Sequence, residues 1–423
     1  MGTVKRSLII GAAVIVLLSG AVVALADTGT EKAVAAQPAQ PITANFNTNA
    51  VPISAPAAEL IDAQTGQVLY AKNVLQKHYP ASLAKLMTSL IALDLVKRGQ
   101  LTLHSIIPVS QSAYKVAQTP GLSVAYLNPA EHITLSKMLE YMYVVSADDA
   151  AVAVADAIAG SQSEFAKLMN EKAKALGLTG THYTNASGLQ NPNMYTNAHD
   201  VAILSRYLVL HYPIVLKYAS EPGMYIHPGQ YGTNYDQLLG QFNGLDGLKT
   251  GSTNEAGYCF VGTAKRGNTQ LISVVLDASS FANVFQDTEG LLGYGFSQFN
   301  AKRFQTANQP IATQLQITDA ADSVLSVAPK KNVFVDVEKG AKQSISYTVT
   351  PNVRSAPVLA GQKVAVENII VNGHIVQQVP LYALKSDPKA NLIEKVWRSV
   401  LASAHKNARK LVTWIGDKVH RYV

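Results

Sequence analysis

Two hairpin signals, far apart and separated by a long helical stretch, constrain this chain more than any other feature. Near the start, Ala58–Ile61 and Gln67–Tyr70 are short apolar runs joined through Asp62-Ala63-Gln64-Thr65-Gly66, which predicts a strand pair. Much later, Gly257–Lys265 and Thr269–Asp277 alternate apolar residues around Arg266-Gly267-Asn268, a second pair. Between them Leu135–Leu176 and His199–His211 read as largely helical, broken by the loop Thr184-Asn185-Ala186-Ser187-Gly188-Leu189. A further helix, Ala81–Val96, is opened by Pro80 and closed by Gly99. Terminal strands around a helical middle imply an α+β fold, an antiparallel sheet with a helical subdomain packed on and beside it.

After about Ala301 the pattern changes to short β runs: Val333–Val337, Ser344–Val349, Lys363–Val371 and His374–Pro380, with a turn at Asn372-Gly373. A second, small all-β domain of sandwich type is expected there. A length of 423 residues suits two folded domains, and 48% apolar with 15% charged residues is a globular composition. Cys259 is the sole cysteine, so no intramolecular disulfide forms and stability must come from the core. It lies in a strand-like run and reads as a buried small hydrophobe.

The two ends read differently. Lys5 and Arg6, the apolar run Leu8–Leu18 and Ala24-Leu25-Ala26 before Asp27 form a secretory signal over residues 1–26. The apolar stretch from Ser7 to Ala26 is almost long enough to span a bilayer, so an uncleaved anchor is the alternative; either places the remainder outside the cytoplasm. Residues 27–56, rich in Ala, Pro, Thr, Gln and Asn, read as a linker, followed by a catalytic domain over 57–300 and the β domain over 301–385. In residues 389–423, Lys395, Arg398, Lys406, Arg409, Lys410, Lys418 and Arg421 outnumber Glu394 and Asp417. Ile393, Trp397, Val400, Ala404, Ala408, Leu411 and Ile415 recur at three- and four-residue steps, which predicts an amphipathic helix on an anionic membrane surface. A helix packed on its own domain, or against a coiled-coil partner, is the alternative.

Several partners find no support. The net charge of +7 sits at that C-terminus, and without an aromatic-interleaved basic groove it does not indicate nucleic acid. No Gly-rich phosphate loop is present, and His182, His199 and His211 lack metal-ligand spacing, so neither a cofactor nor a metal is expected.

Three motifs carry chemistry. In Ser82-Leu83-Ala84-Lys85, residues three apart share a helix face, so the Lys85 amine can reach the Ser82 hydroxyl. A serine alcohol needs a base to become a nucleophile, and Lys85 serves if neutral, which partial burial and a second nearby cation favour. The helix N-terminus adds N–H groups where an oxyanion would form. The second motif is Ser146-Ala147-Asp148-Asp149 and the third Lys249-Thr250-Gly251-Ser252. In the third, lysine and threonine can hold a carboxylate, while glycine lets backbone come close to a ligand. S-x-x-K followed by S-D-N-like and K-T-G motifs is the signature of penicillin-binding proteins and class A β-lactamases.

Together with Tyr79-Pro80-Ala81, Thr184–Leu189 and Asp246-Gly247-Leu248, these segments make the chain resemble the D-Ala-D-Ala carboxypeptidases among the low-molecular-mass penicillin-binding proteins, over about Ala57–Phe296. The β region and the basic helix resemble that family's accessory domain and membrane anchor. The resemblance implies that Ser82 attacks the penultimate D-Ala carbonyl of a peptidoglycan stem pentapeptide and that Lys85 takes its proton. Ser146 would relay a proton to the leaving D-Ala. Lys249 and Thr250 would bind the terminal carboxylate, and the N–H groups of Ser82 and Ser252 would form the oxyanion hole. β-lactam antibiotics would acylate Ser82.

Two departures stand out. The family's second motif ends in Asn, and Asp148 here can only accept hydrogen bonds; it should favour the cationic form of Lys85 and raise the pH optimum. The arginine that supports carboxylate binding in relatives is missing from Thr233-Asn234-Tyr235-Asp236, so Lys249 carries more of that binding or another arginine reaches in. Rival readings are a β-lactamase, against which the absence of an E-x-x-L-N stretch around Glu164 and Glu171 speaks, a transpeptidase or endopeptidase differing only in acyl acceptor, and a catalytically weak wall protein with a binding or regulatory role.

Overall fold

The structure, a computed structural model, describes residues 50–393 except Ser323, together with Val396. The expected signal segment, most of the linker and nearly all of the basic C-terminal helix lie outside the described residues.

The chain begins with the first hairpin, β1 (Ala57–Asp62) and β2 (Val68–Lys72), whose turn is held by Asp62 accepting from the N–H groups of Gln64 and Thr65 at 2.7 and 2.8 Å. A 3-10 turn at Ala81–Leu83 leads into α1 (Ala84–Lys97). The expected single helix from Ala81 thus has a tighter first turn. There follow β3 (Ile106–Ile107), α2 (Gln111–Ala117), β4 (Ile133–Thr134), α3 (Leu135–Val144), α4 (Asp148–Ala159) and α5 (Gln162–Leu176). The helical stretch is therefore three helices. It breaks at Ser146, whose φ of 57° is left-handed, and at Gly160, whose φ of 77° ends α4 before Ser161 caps α5 through the Glu164 N–H. Next come α6 (Ala198–His211), α7 (Ile214–Ala219), β5 (Gly223–His227) and β6 (Gln230–Thr233), then β7 (Leu245–Thr253), β8 (Gly257–Arg266), β9 (Thr269–Ala278) and α8 (Phe281–Gln298).

The central sheet is antiparallel in the order β2-β1-β9-β8-β7, so the sequence-distant hairpins meet where β1 pairs with β9. Alternate side chains go to opposite faces. Ile272, Val274 and Leu276 of β9 join the helical side with Met87, Leu90, Met138 and Phe165, whereas Leu271 and Val275 join Phe285, Leu291 and Leu292 of α8. Burial on both faces explains why these strands read as near-continuous apolar runs. Among the described residues, no helix is long and apolar enough to cross a membrane.

The β domain comprises β10 (Phe299–Gln305), β11 (Leu315–Gln316), β12 (Val324–Leu325), β13 (Val327–Pro329), β14 (Val333–Glu338), β15 (Ile345–Pro351), β16 (Lys363–Val371) and β17 (His374–Ala383). Its main sheet runs β13-β17-β16-β15, with β10 paired to β14 beside it. Leu315, Leu325, Val327, Val364 and Leu381 form its core. The two domains are tied at the first hairpin turn. Thr65 Oγ1 donates to Asp336 Oδ2 at 2.5 Å, and the Gln67 amide exchanges two 3.2 Å bonds with the Asp336 backbone.

Candidate active site

Ser82 stands on the 3-10 turn and Lys85 one turn on in α1. Lys85 is 1% exposed, and its Nζ has three acceptors: Ser82 Oγ at 2.8 Å, Asp148 Oδ1 at 2.6 Å and the Ser187 carbonyl at 2.9 Å. The amine thus joins the nucleophile, the second motif and the Ser187 loop at a single atom.

The Ser187 carbonyl was given no role by its sequence, yet the loop that carries it is built into the site. Asn185 Oδ1 accepts from the N–H groups of Gly188 and Leu189 at 2.8 and 3.1 Å, and Thr88 of α1 donates to the Ala186 carbonyl at 2.7 Å. Gly188 lies at φ 89°, and a Cβ there would overlap the Ala81 carbonyl. Its backbone can approach the nucleophile turn only as glycine.

Ser146 closes the opposite side. Its left-handed backbone is unusual for a non-glycine residue, and such geometry persists where neighbours hold it. The holder is α4. Asp149, fully buried, accepts from the N–H groups of Ala125 and Leu127 at 2.9 and 3.0 Å, while the Asp148 N–H donates to the Ser123 carbonyl at 2.7 Å. Asp149 therefore fixes the loop that brings Ser123 to the pocket, a role its place beside the motif did not disclose. Burial pushes its carboxyl above the usual range, opposed by these N–H groups.

Lys249, on edge strand β7, is 3% exposed; its Nζ donates to Ser146 Oγ and to the Thr250 carbonyl, both at 2.9 Å. Burial, with the Lys85 charge, pushes this amine well below an ordinary lysine, against the pull of Asp148 and Asp236. Asp236 is itself pushed up to about 7 by burial, moderated by backbone N–H groups and by Lys249.

Between these groups lies a cavity of about 140 Å3 lined by Ser82, Ser123, Ser146, Thr250, Gly251 and Ser252, with Tyr235, Tyr258 and Phe281 as an aromatic wall. Lys85, Asp148 and Lys249 stand behind this lining rather than in it. No arginine is among the lining residues, which leaves the missing family arginine without a substitute on the wall. A Cβ on Gly251 would come 3.0 Å from the Ser82 nitrogen and 3.2 Å from the Leu83 nitrogen, so a side chain there would press β7 and the nucleophile turn apart by a few tenths of an ångström. Among the described residues β7 pairs with β8 alone and forms an edge of the sheet. Cys259 is 1% exposed and its thiol is pushed up to about 12 by burial, as suits a packing residue.

The three motifs are thus assembled around one small cavity. The arrangement offers a hydroxyl nucleophile with an amine in contact, a second hydroxyl with a second amine, and backbone N–H groups at the turn.

Comparison with known proteins agrees with this constellation. Residues 44–280 match the D-alanyl-D-alanine carboxypeptidase family model and residues 299–389 match that of the penicillin-binding protein 5 C-terminal domain. D-alanyl-D-alanine carboxypeptidase DacF of Bacillus subtilis is 31% identical over 355 residues, covering 82% of this chain and 89% of the relative. The structure of penicillin-binding protein 5 from Haemophilus influenzae superposes with a TM-score of 0.71 at 27% identity, over 80% of this chain and 98% of that one. Penicillin-binding protein D2 of Listeria monocytogenes, solved in its ampicillin-bound form, superposes with a TM-score of 0.52 at 35% identity, over 58% of this chain and 98% of that one. With the first match spanning more than half the chain and the second the β domain, this chain belongs to the D-alanyl-D-alanine carboxypeptidase family, penicillin-binding serine hydrolases.

Proposed function

We propose that the chain removes the terminal D-Ala from peptidoglycan stem pentapeptides through an acyl-enzyme on Ser82. The observation that carries this reading is the 2.8 Å contact between Lys85 Nζ and Ser82 Oγ, with Ser82 lining the cavity beside Gly251. Lys85 in its neutral form accepts the Ser82 proton as Oγ bonds to the penultimate D-Ala carbonyl carbon. The carbonyl oxygen becomes an oxyanion held by the N–H groups of Ser82 and Ser252. Its collapse breaks the C–N bond, and Ser146 passes a proton to the departing D-Ala amine. Water then attacks the ester, and Ser82 regains its proton.

Lys249 suits carboxylate recognition from behind the wall. An arriving substrate carboxylate, bonded by Thr250, stabilises the lysine's ammonium form, offsetting the burial that disfavours it. β-lactams, which present a similar carboxylate and a strained amide, would take the same place and acylate Ser82. The inferred setting is extracytoplasmic. In this reading residues 1–26 are a signal, 27–56 a linker, 57–300 the catalytic domain and 301–385 the β domain, with residues 389–423 holding the protein to an anionic membrane surface.

A second reading has one specific observation behind it. Asp148 pairs with Lys85 at 2.6 Å where relatives place a neutral amide, so a carboxylate competes with Ser82 for the lysine amine. That would make the protein a slow enzyme with a binding or regulatory role. Release of D-Ala from diacetyl-Lys-D-Ala-D-Ala, run beside Ser82→Ala, decides between them. Release that disappears in the variant supports the carboxypeptidase reading. Covalent penicillin labelling at Ser82 without D-Ala release supports the second.

A further inference from the structure

A larger cavity, about 670 Å3, lies away from Ser82, where the catalytic domain meets the β domain. Its volume falls within the range of small-molecule sites, and domain interfaces are where such sites concentrate. The catalytic domain contributes Leu69 of β2 with Tyr294 and Gln298 at the end of α8, and the β domain contributes Glu338 of β14 with Asn372 and His374 at the β16–β17 turn.

What lines the cavity determines what it can take. Asn372 Oδ1 accepts from the Ser344 N–H and Gln343 Oε1 from the Glu338 N–H, both at 3.1 Å, so each amide keeps its NH2 as a donor. Glu338 supplies a carboxylate acceptor, and His374 donates or accepts according to tautomer. The rings of Tyr294 and Phe299 meet edge to face at 5.5 Å, and Val371 and Val376 add apolar surface. Burial and then the Glu338 charge push the Tyr294 phenol up. Among the described residues no lysine or arginine lines the cavity, so phosphate and carboxylate ligands meet no cation there and one carboxylate to repel them. A neutral molecule with many hydroxyls and apolar C–H faces fits: hydroxyls match the mixed donors and acceptors, and C–H faces match the aromatic rings.

We propose that this cavity binds a short stretch of a neutral N-acetylated sugar chain, the backbone chemistry of the wall polymer that carries the D-Ala-D-Ala peptides. The sugar preference stands on the cavity itself, while its assignment to the wall polymer rests on the carboxypeptidase reading. A second hold on the same polymer would raise the effective concentration of stem peptides at Ser82 without adding any contact to the reacting bond.

The test uses the full chain carrying Ser82→Ala, with tetra-N-acetylchitotetraose and wall glycan strands stripped of peptide as probes, read by calorimetry. The expected result is saturable binding of both, undiminished when the Ser82 form is first blocked with penicillin. Glu338→Gln with His374→Ala should weaken it by about tenfold or more. The same pair, placed in the active chain, should leave D-Ala release from the soluble tripeptide within about twofold. If that pair unfolds, Asn372→Gly is the second variant, since the φ of 51° there is one glycine adopts freely. Absence of sugar binding, binding untouched by these substitutions, or binding abolished by penicillin would each overturn the proposal. A wild-type chain that binds sugar but releases no D-Ala would instead remove the carboxypeptidase reading and leave the sugar site standing.

Discussion

Two regions of this molecule bury carboxylates, and they do so in opposite company. In the catalytic site Asp148 lies 2.6 Å from Lys85, whose amine also contacts Ser82 Oγ and the Ser187 carbonyl. At the domain junction Asp62 and Asp336 influence each other across the first hairpin turn, with Thr65 and backbone N–H groups as their hydrogen-bond partners. Arg206 lies near, but its guanidinium donates to the Ala63 and Gln64 carbonyls. Burial raises both junction carboxyls, Asp336 to about 7. Burial near a second negative group raises a carboxyl, whereas a cation in contact opposes that rise. The first arrangement serves chemistry, and the second makes a seam whose strength depends on pH.

Removing the cation should break this contrast most severely. Lys85→Met takes away the base and leaves Asp148 buried without its partner. Acylation by penicillin should fall by about 10²–10⁴-fold. Stability should drop by roughly 3–5 kcal/mol through the unpaired charge, measured by denaturant titration. Lys85→Met combined with Asp148→Asn should recover most of the stability and none of the rate. A double variant as unstable as the single one would mean that the ion pair is not what Lys85 contributes to the fold. Gly251→Ala tests the close approach rather than the charge. Its Cβ would press on the Ser82 and Leu83 nitrogens, displacing β7 from the nucleophile turn, with a loss of about 10–100-fold in acylation and little change in melting temperature.

Asp148→Asn alone sharpens the comparison. Replacing the carboxylate with an amide removes a full negative charge 2.6 Å from Lys85 Nζ, so the acidic limb of the pH–rate profile should move downward. A profile that does not move would show that Asp148 acts only as a hydrogen-bond acceptor.

The reach of the sequence follows the same division. Ser82, Lys85, Ser146 and Lys249 could be singled out because a short helical spacing and motif order announce them, and the second hairpin and β runs because period-2 alternation marks strands. Ser187, Asp149 and the Asp62–Asp336 seam could not. Ser187 acts through its carbonyl, which every residue possesses. Asp149 works on N–H groups of Ala125 and Leu127, a match that exists only after α4 and the preceding loop have packed. Asp62 and Asp336 lie in different domains, and nothing local to either reports the other. The break of one helical run into three was visible only at Gly160; at Ser146 the left-handed turn is imposed by tertiary contacts against the residue's own preference.

The seam gives the smallest effect and the cleanest sign. Asp336 holds its proton to a higher pH in the folded chain, about 7, than in the unfolded one, where a carboxyl titrates near its ordinary value of 3.8. Between those values the folded state binds more protons than the unfolded state, so stability is greatest below the lower value and declines as pH rises towards about 7. Asp336→Asn keeps a group that can still accept from Thr65 Oγ1 and removes the titration. The variant should lose much of the slope between about pH 4 and 7 and gain about 1–3 kcal/mol over wild type at pH 8, a rise of a few degrees in melting temperature. D-Ala release should not change, because the seam touches none of the groups around Ser82. Parallel stability curves for the two proteins across that range would mean that Asp336 does not hold its proton to a higher pH in the folded chain, and that the contrast with the catalytic ion pair is one of position and not of protonation.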